Sequence, residues 1–271
     1  MIAVELVKLV RSRRTWVTIA VIDALPALVA VLLAWTDLGP RPGTGPAFLT
    51  AVLADGTLYP LAAIAMILPL FLPTAVAVTA GDAIAGEAQQ GTLRYVLVRP
   101  VGRTRLLVAK LVAAMAFALL ALLVVAATSY VLGVVLLGGG ATDQPTTTFS
   151  GTTLTGTQLA GRTALALLYA LLSMLGVASV ALFLSTLVRT PLAATMGTLA
   201  LLIGSSLLLT LDAAHVLRPY LLTRYWLSFV DLFRDPILWH DVQHGVLLQV
   251  GYVVVFLLAA WANFVTKDVT D

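Results

Sequence analysis

The sequence predicts an all-α integral membrane protein with six transmembrane helices, and three observations predict it. Of its 271 residues, 60% are hydrophobic and only 11% are charged, whereas a soluble domain carries roughly 25% charged residues. Six stretches approach the roughly 20 apolar residues needed to cross ~30 Å of hydrocarbon. Lysine and arginine are spread unevenly over the segments between them.

The spans read as residues 15–35, 57–80, 106–137, 162–187, 191–211 and 244–265, and the whole of 1–271 as one transmembrane domain. The first follows a basic flank (Lys8, Arg11, Arg13, Arg14). Its apolar run outlasts the apolar core of a secretory signal, about 7–15 residues, so it reads as a span. Upstream, Ile2, Ala3, Leu6, Val7 and Val10 share one side of a helical wheel, with Glu5, Lys8, Arg11 and Ser12 opposite. That pattern predicts an interfacial helix over 2–14. The third span exceeds the bilayer's need and is expected to tilt or protrude.

With the N-terminus inside, eleven basic residues lie on the cytoplasmic side (Lys8, Arg11, Arg13, Arg14, Arg94, Arg99, Arg103, Arg105, Lys110, Arg189, Lys267). Five lie outside (Arg41, Arg162, Arg218, Arg224, Arg234). This bias predicts a multi-pass protein of the cytoplasmic membrane with both termini cytoplasmic. Lysine is scarce beside arginine, and Ala, Val and Leu abound, a composition that fits a GC-rich bacterial genome.

The connectors differ in character. Residues 36–56 and 138–161 are rich in Gly with Pro or Thr and read as irregular loops. Residues 212–243 mix aromatics, charges and apolar side chains. Tyr220, Tyr225, Trp226, Phe229, Phe233 and Trp239 suit a membrane interface, so two short helices on the outer face are expected there.

Several chemistries are excluded. No cysteine is present, which removes disulfides, thiolate metal sites and cysteine nucleophiles. No basic stripe with interleaved aromatics suggests nucleic acid. A P-loop needs a lysine after glycine to wrap phosphates, and Lys8, Lys110 and Lys267 all lack that glycine. Any ATP and Mg must therefore be bound by a partner chain, with no cofactor expected in this one.

The most specific stretch is residues 82–110, a charged, Gly-punctuated segment between two apolar runs. Gly86 and Gly91 suggest turns at either end of a short element, Thr92 a helix cap, and Pro100 a helix stop or restart. Glu87 and Arg94 offer charge-assisted contacts to a cytoplasmic partner. The pattern Glu87-x-x-x-Gly91-Thr92-Leu93-Arg94, then Arg99-Pro100-Val101-Gly102-Arg103, then Leu106 to Lys110, resembles the ABC type-2 transporter permease family. The basic N-terminus, the six spans and the charged tail (Thr266, Lys267, Asp268) agree in layout. The resemblance implies a permease that pairs with a second permease, identical or paralogous, and with a cytoplasmic ABC ATPase dimer. It further implies that Asp82, Glu87, Gly91, Thr92, Leu93, Arg94 and Arg99 form a coupling helix docking on the ATPase.

For the translocation path or the permease interface, the candidates are Asp23, Thr74, Thr79, Gly197, Gly204, Ser205 and Ser206. Asp23 sits mid-span, where a carboxylate costs on the order of 3 kcal/mol and calls for a cavity, partner or neighbouring helix. Prolines 60, 69 and 73 mark span two as kinked. Span five spaces Ala193, Gly197, Ala200, Gly204, Ser205 and Ser206 for close helix approach. The resulting expectation is an ATP-driven exporter of amphipathic or lipid-like molecules. Two other classes remain open. His240 and His244, four apart around Asp241, match a zinc-hydrolase spacing, and Asp23 matches a proton site in a secondary transporter.

Overall fold

The computed structural model describes residues 2–36, 55–91, 102–138, 146–147 and 153–266. Helix α1 (Ile2–Arg11) is short and amphipathic, with Val4 and Val7 exposed and Leu9 turned toward the core. Ser12 separates it from α2 (Arg13–Trp35), and the Trp16 indole donates to the Val10 carbonyl (2.8 Å) across this corner.

Span two is broken. A 3-10 turn (Gly56–Leu58) leads into α3 (Tyr59–Ile67), and α4 (Phe71–Gln89) follows at a 56° bend. Pro69 lies in the break and has no amide to donate to the preceding turn. The expected kink is therefore a hinge between two helices. Leu61, Ala62, Ala63, Ile64 and Ile67 of α3 are all buried. A helix apolar on every side belongs at the centre of a bundle, and α3 packs between α2 and the third span. Tyr59 ties it to α2 by donating to the Pro26 carbonyl.

The third span, α5 (Arg103–Leu132), continues through a π turn (Gly133–Leu137). Together they make 35 residues, about 50 Å at 1.5 Å per residue, so part of this helix extends beyond the hydrocarbon. Gly133 meets Gly56 where the span ends. A Cβ on either would strike the other's carbonyl, and the Gly56 amide donates to Gly138 (2.8 Å).

A two-residue antiparallel ladder, β1 (Thr146–Thr147) with β2 (Thr153–Leu154), interrupts the next connector. Helix α6 (Gly156–Leu187) starts from a capping box of Thr155 and Gln158 and buries Ala170, Ser173, Gly176, Val177 and Ala181. Such small residues let neighbouring helices approach closely. A three-residue link turns into α7 (Pro191–Thr210), with Thr190 as cap and Pro191 at the first helical position. The chain ends its described course in α8 (Trp239–Thr266), which begins five residues earlier than the sequence suggested.

Five helices are thus long and apolar enough to cross a membrane, and the bent α3–α4 pair passes the same test as one unit. The six expected spans are all present as helices. One face carries α1, the end of α4, the start of α5, the α6–α7 link and the end of α8, and is called the N-terminal face below.

On the opposite face the two expected interfacial helices are replaced by three 3-10 segments: Asp212–Ala214, Arg218–Tyr220 and Trp226–Phe233. Trp226, Phe229 and Phe233 are at most 3% exposed. They fill the protein's own core against α6 and α8 instead of resting in lipid. Irregular backbone near a bilayer needs partners for its carbonyls, and the spans supply them. Tyr169 donates to Tyr225 (2.7 Å), Gln249 to Leu222 (3.0 Å) and Tyr252 to Tyr220 (2.9 Å).

Candidate functional site

The N-terminal face is built around one buried cation. Lys110 lies two turns into α5 and is 6% exposed. Its ammonium donates to Glu5 of α1 (3.0 Å) and to Glu87 of α4. A buried lysine is tolerable when paired and hydrogen-bonded, and here two carboxylates from distant segments do this. The first, third and second spans are thereby locked at one point, since α1 runs directly into α2.

Beside this point opens a cavity of about 440 Å3, walled by α1, α2, α4 and α5. Glu5, Thr79, Asp82, Glu87 and Lys110 all contribute to its lining. Asp82 is exposed and its carboxylate folds over Gly86, so a Cβ at Gly86 would strike it.

The sequence-predicted coupling residues are only partly gathered here. Asp82 and Glu87 share α4 with Gly86, which is interior to that helix and forms no turn, contrary to expectation. The reason is that α4 continues unbroken past the apolar run, because Ile84 and Ala85 keep burying against the bundle. Gly91 does end the helix, with φ of 68°, the left-handed geometry that glycine adopts without penalty. Glu87, read as a contact for a partner's basic groups, is engaged with Lys110 inside the chain. Thr92, Leu93, Arg94 and Arg99 lie outside the described residues.

The proposed path residues are dispersed. Asp23 accepts from the Thr128 hydroxyl of α5 (2.7 Å). Thr74 and Thr79 donate to carbonyls of their own helix region, Leu70 and Ala75, though Thr79 also faces the cavity. Gly197 packs against Leu184. Ser205 bonds the Thr223 hydroxyl (2.9 Å) and accepts from its amide (3.2 Å), anchoring the opposite-face segment. Gly204 and Ser206 face outward, toward open space.

Of the competing histidines, His240 Nδ1 lies 3.0 Å from Asp241, and His244 Nδ1 lies 2.7 Å from the His240 carbonyl of its own helix. Their rings are 4.3 Å apart. Among the described residues no group of three His, Cys, Asp or Glu side chains could hold a metal ion.

Sequence reasoning missed the partners of three structural residues. Ser185 of α6 is buried, donates to the Gly81 carbonyl (2.7 Å) and accepts from the Ile84 and Ala85 amides (3.1 and 2.9 Å). A serine inside an apolar span carries no pattern that names its partner. Lys110 was read as a topology signal, yet a lone cation inside the apolar run Leu106–Val112 already called for a partner. Arg103, counted in the sequence as a cytoplasmic basic residue, donates to the carbonyls of Phe264 and Val265 (3.2 and 2.7 Å) at the end of α8.

No curated protein matches the chain. A family model described as ABC-2 family transporter protein matches residues 1–204, from α1 into α7. That stretch contains the Glu5–Lys110–Glu87 cluster, the cavity and the Gly91 turn, and the chain accordingly belongs to the ABC-2 family of transporter proteins.

Proposed function

We propose that this chain is the membrane-spanning permease subunit of an ATP-driven exporter in the cytoplasmic membrane, with both termini in the cytoplasm. ATP and Mg are bound by a separate ABC ATPase dimer, and a second permease, identical or paralogous, completes the assembly. The observation that carries this reading is the family match over residues 1–204, which spans the segment resembling a coupling helix.

In this mechanism the ATPases push on the N-terminal face near residues 82–99. Force entering at the end of α4 reaches α5 and α1 through the Glu87–Lys110–Glu5 pairing. It reaches α6 through the Ser185 contact to α4. The hinge between α3 and α4 lets the lower half-helix move while α3 stays packed in the core. The exposed side of α7, including Gly204, is the surface offered to the second permease. Cargo is amphipathic, because the bundle is apolar and its polar cavity lies at one end.

The test is co-expression with the ABC ATPase encoded beside this chain, and purification through a tag on the permease. Stoichiometric co-elution is expected, and Gly91→Trp, Leu93→Asp and Arg94→Glu are expected to weaken it. An ATPase that never co-elutes from mild detergent or nanodiscs would sink the reading.

A further inference from the structure

The cavity on the N-terminal face has walls of unusual charge. Pockets on the order of 300–1,000 Å3 hold small molecules, and this one, at about 440 Å3, falls in that range. Three acids (Glu5, Asp82, Glu87) and three bases (Lys8, Arg14, Lys110) line it. Lys110 is consumed by Glu5 and Glu87. Lys8 and Arg14 stand on the α1–α2 wall and Asp82 on the α4 wall, all three exposed. Among the described residues no salt bridge engages any of these three.

The depth of the cavity is fixed by α1. That helix turns Val7 and Val10 outward, 52% and 51% exposed, with Glu5 and Lys8 on the side that lines the cavity. This is the form of a helix lying among lipid headgroups. The ionic part of the cavity is therefore at headgroup level. Val17, Val78 and Phe117 line the remainder, and Val17 and Val78 are also exposed on the outer surface of their helices. An apolar tail can pass between α2 and α4 into the bilayer.

A purely anionic headgroup would meet the Asp82 carboxylate on the α4 wall. A purely cationic one would meet Lys8 and Arg14. A neutral headgroup with separated charges satisfies both walls. We infer that this cavity binds the headgroup of a zwitterionic phospholipid, with its phosphate at Lys8 and Arg14, its primary ammonium at Asp82, and its acyl chains beside Val17 and Val78. The lipid's role as cargo rests on the exporter reading above, whereas its binding does not.

The experiment uses the purified full chain in a maltoside detergent, titrated with dihexanoyl phosphatidylethanolamine, dihexanoyl phosphatidylglycerol and soluble phosphoethanolamine, with binding read by thermal shift. Phosphatidylethanolamine is expected to saturate the shift, with about tenfold tighter affinity than either other probe, the effect of one charge-assisted contact or of losing the tail. Asp82→Asn should weaken phosphatidylethanolamine about tenfold and leave phosphatidylglycerol unchanged. Arg14→Gln should weaken both lipids. Equal affinity for the two lipids, or an Asp82→Asn chain that binds phosphatidylethanolamine as the unaltered chain does, would overturn the proposal. Equal affinity for soluble phosphoethanolamine would overturn the assignment to a lipid. The lipid comparison in the unaltered chain needs no variant, and no arm needs the ATPase. Loss of ATPase co-elution and loss of lipid binding are thus separate results.

Discussion

Glu87 at the end of α4 and Lys110 near the start of α5 form a part-buried ion pair, and the same ammonium reaches Glu5 at 3.0 Å. A residue expected to meet a partner protein is thus engaged inside the chain. Lys110 is the member that both carboxylates contact. Replacing it with methionine keeps the stem's volume but removes the cation between them. Breaking a fully buried pair costs about 3–5 kcal/mol, and this part-buried one is expected to lose about 1–3 kcal/mol. Thermal unfolding of the purified chain should show that loss, and Lys110→Met with Glu5→Gln and Glu87→Gln should recover much of it. A triple variant no more stable than Lys110→Met would mean the charges are not coupled.

Ser185 makes three contacts to the α4 backbone, one as donor to Gly81 and two as acceptor. Ser185→Ala removes them without changing the packing volume much. Unsatisfied buried groups cost roughly 1–3 kcal/mol, softened here because the α4 amides retain their helical partners. A stability loss near 1 kcal/mol is expected, with hydrogen exchange faster at the Ile84 and Ala85 amides. Unchanged exchange there would contradict the contact.

Gly133 approaches Gly56 so closely that a Cβ would lie against its carbonyl and 2.8 Å from the Tyr59 Cβ. Neither neighbour is a flexible side-chain tip. Gly133→Ala should therefore destabilise the chain by about 1–3 kcal/mol, the usual penalty of overpacking, seen as a lower melting temperature and poorer yield.

Gly204 offers the opposite case, since a Cβ there meets open space. Gly204→Leu should leave the melting temperature of the isolated chain unchanged or slightly raised, because leucine favours a helix by several tenths of a kcal/mol or more over glycine. If the exposed side of α7 seats the second permease, the same variant should reduce recovery of the two-permease assembly on size-exclusion chromatography. Full recovery would move the interface elsewhere.

Gln249, 1% exposed, donates to the Leu222 carbonyl across the contact between α8 and the opposite-face segment. Gln249→Leu should detach that segment locally, with protease cleavage near residues 217–224 rising severalfold while the spans stay folded. Resistance equal to the unaltered chain would show that the aromatic packing of Trp226, Phe229 and Phe233 suffices.

Much of the fold was legible in particular stretches. The Val- and Leu-rich runs around Asp23 and Val125 were legible as spans, and the apolar run 191–211 matches α7 (Pro191–Thr210) closely. Span two was half legible. Its prolines announced a kink, but the 56° break with α3 wholly buried depends on neighbours that enclose it. In 212–243 the expected short helical segments are present and Tyr220 and Trp239 are exposed, but Trp226, Phe229 and Phe233 are buried, because aromatic residues suit both a lipid interface and a protein core and composition cannot choose between them. At the candidate site Asp82, Glu87 and Gly91 were legible as an unusual polar stretch, whereas Glu5 had no reason to be linked with Lys110 in the absence of a fold.

The sequence by itself determined the membrane class and the apolar runs long enough to cross, because the cost of dehydrating backbone and charge at a fixed bilayer thickness acts on each run of residues locally. It also carried the resemblance to the ABC-2 family, since the motif around Glu87, Gly91 and Arg99 is a local pattern. Tertiary structure alone decided which polar groups meet. Glu5, Glu87 and Lys110 converge, Ser185 finds Gly81, and Arg103 closes the end of α8. These pairs join residues from 23 to 162 positions apart, and a buried polar group specifies that it must have a partner without specifying which one.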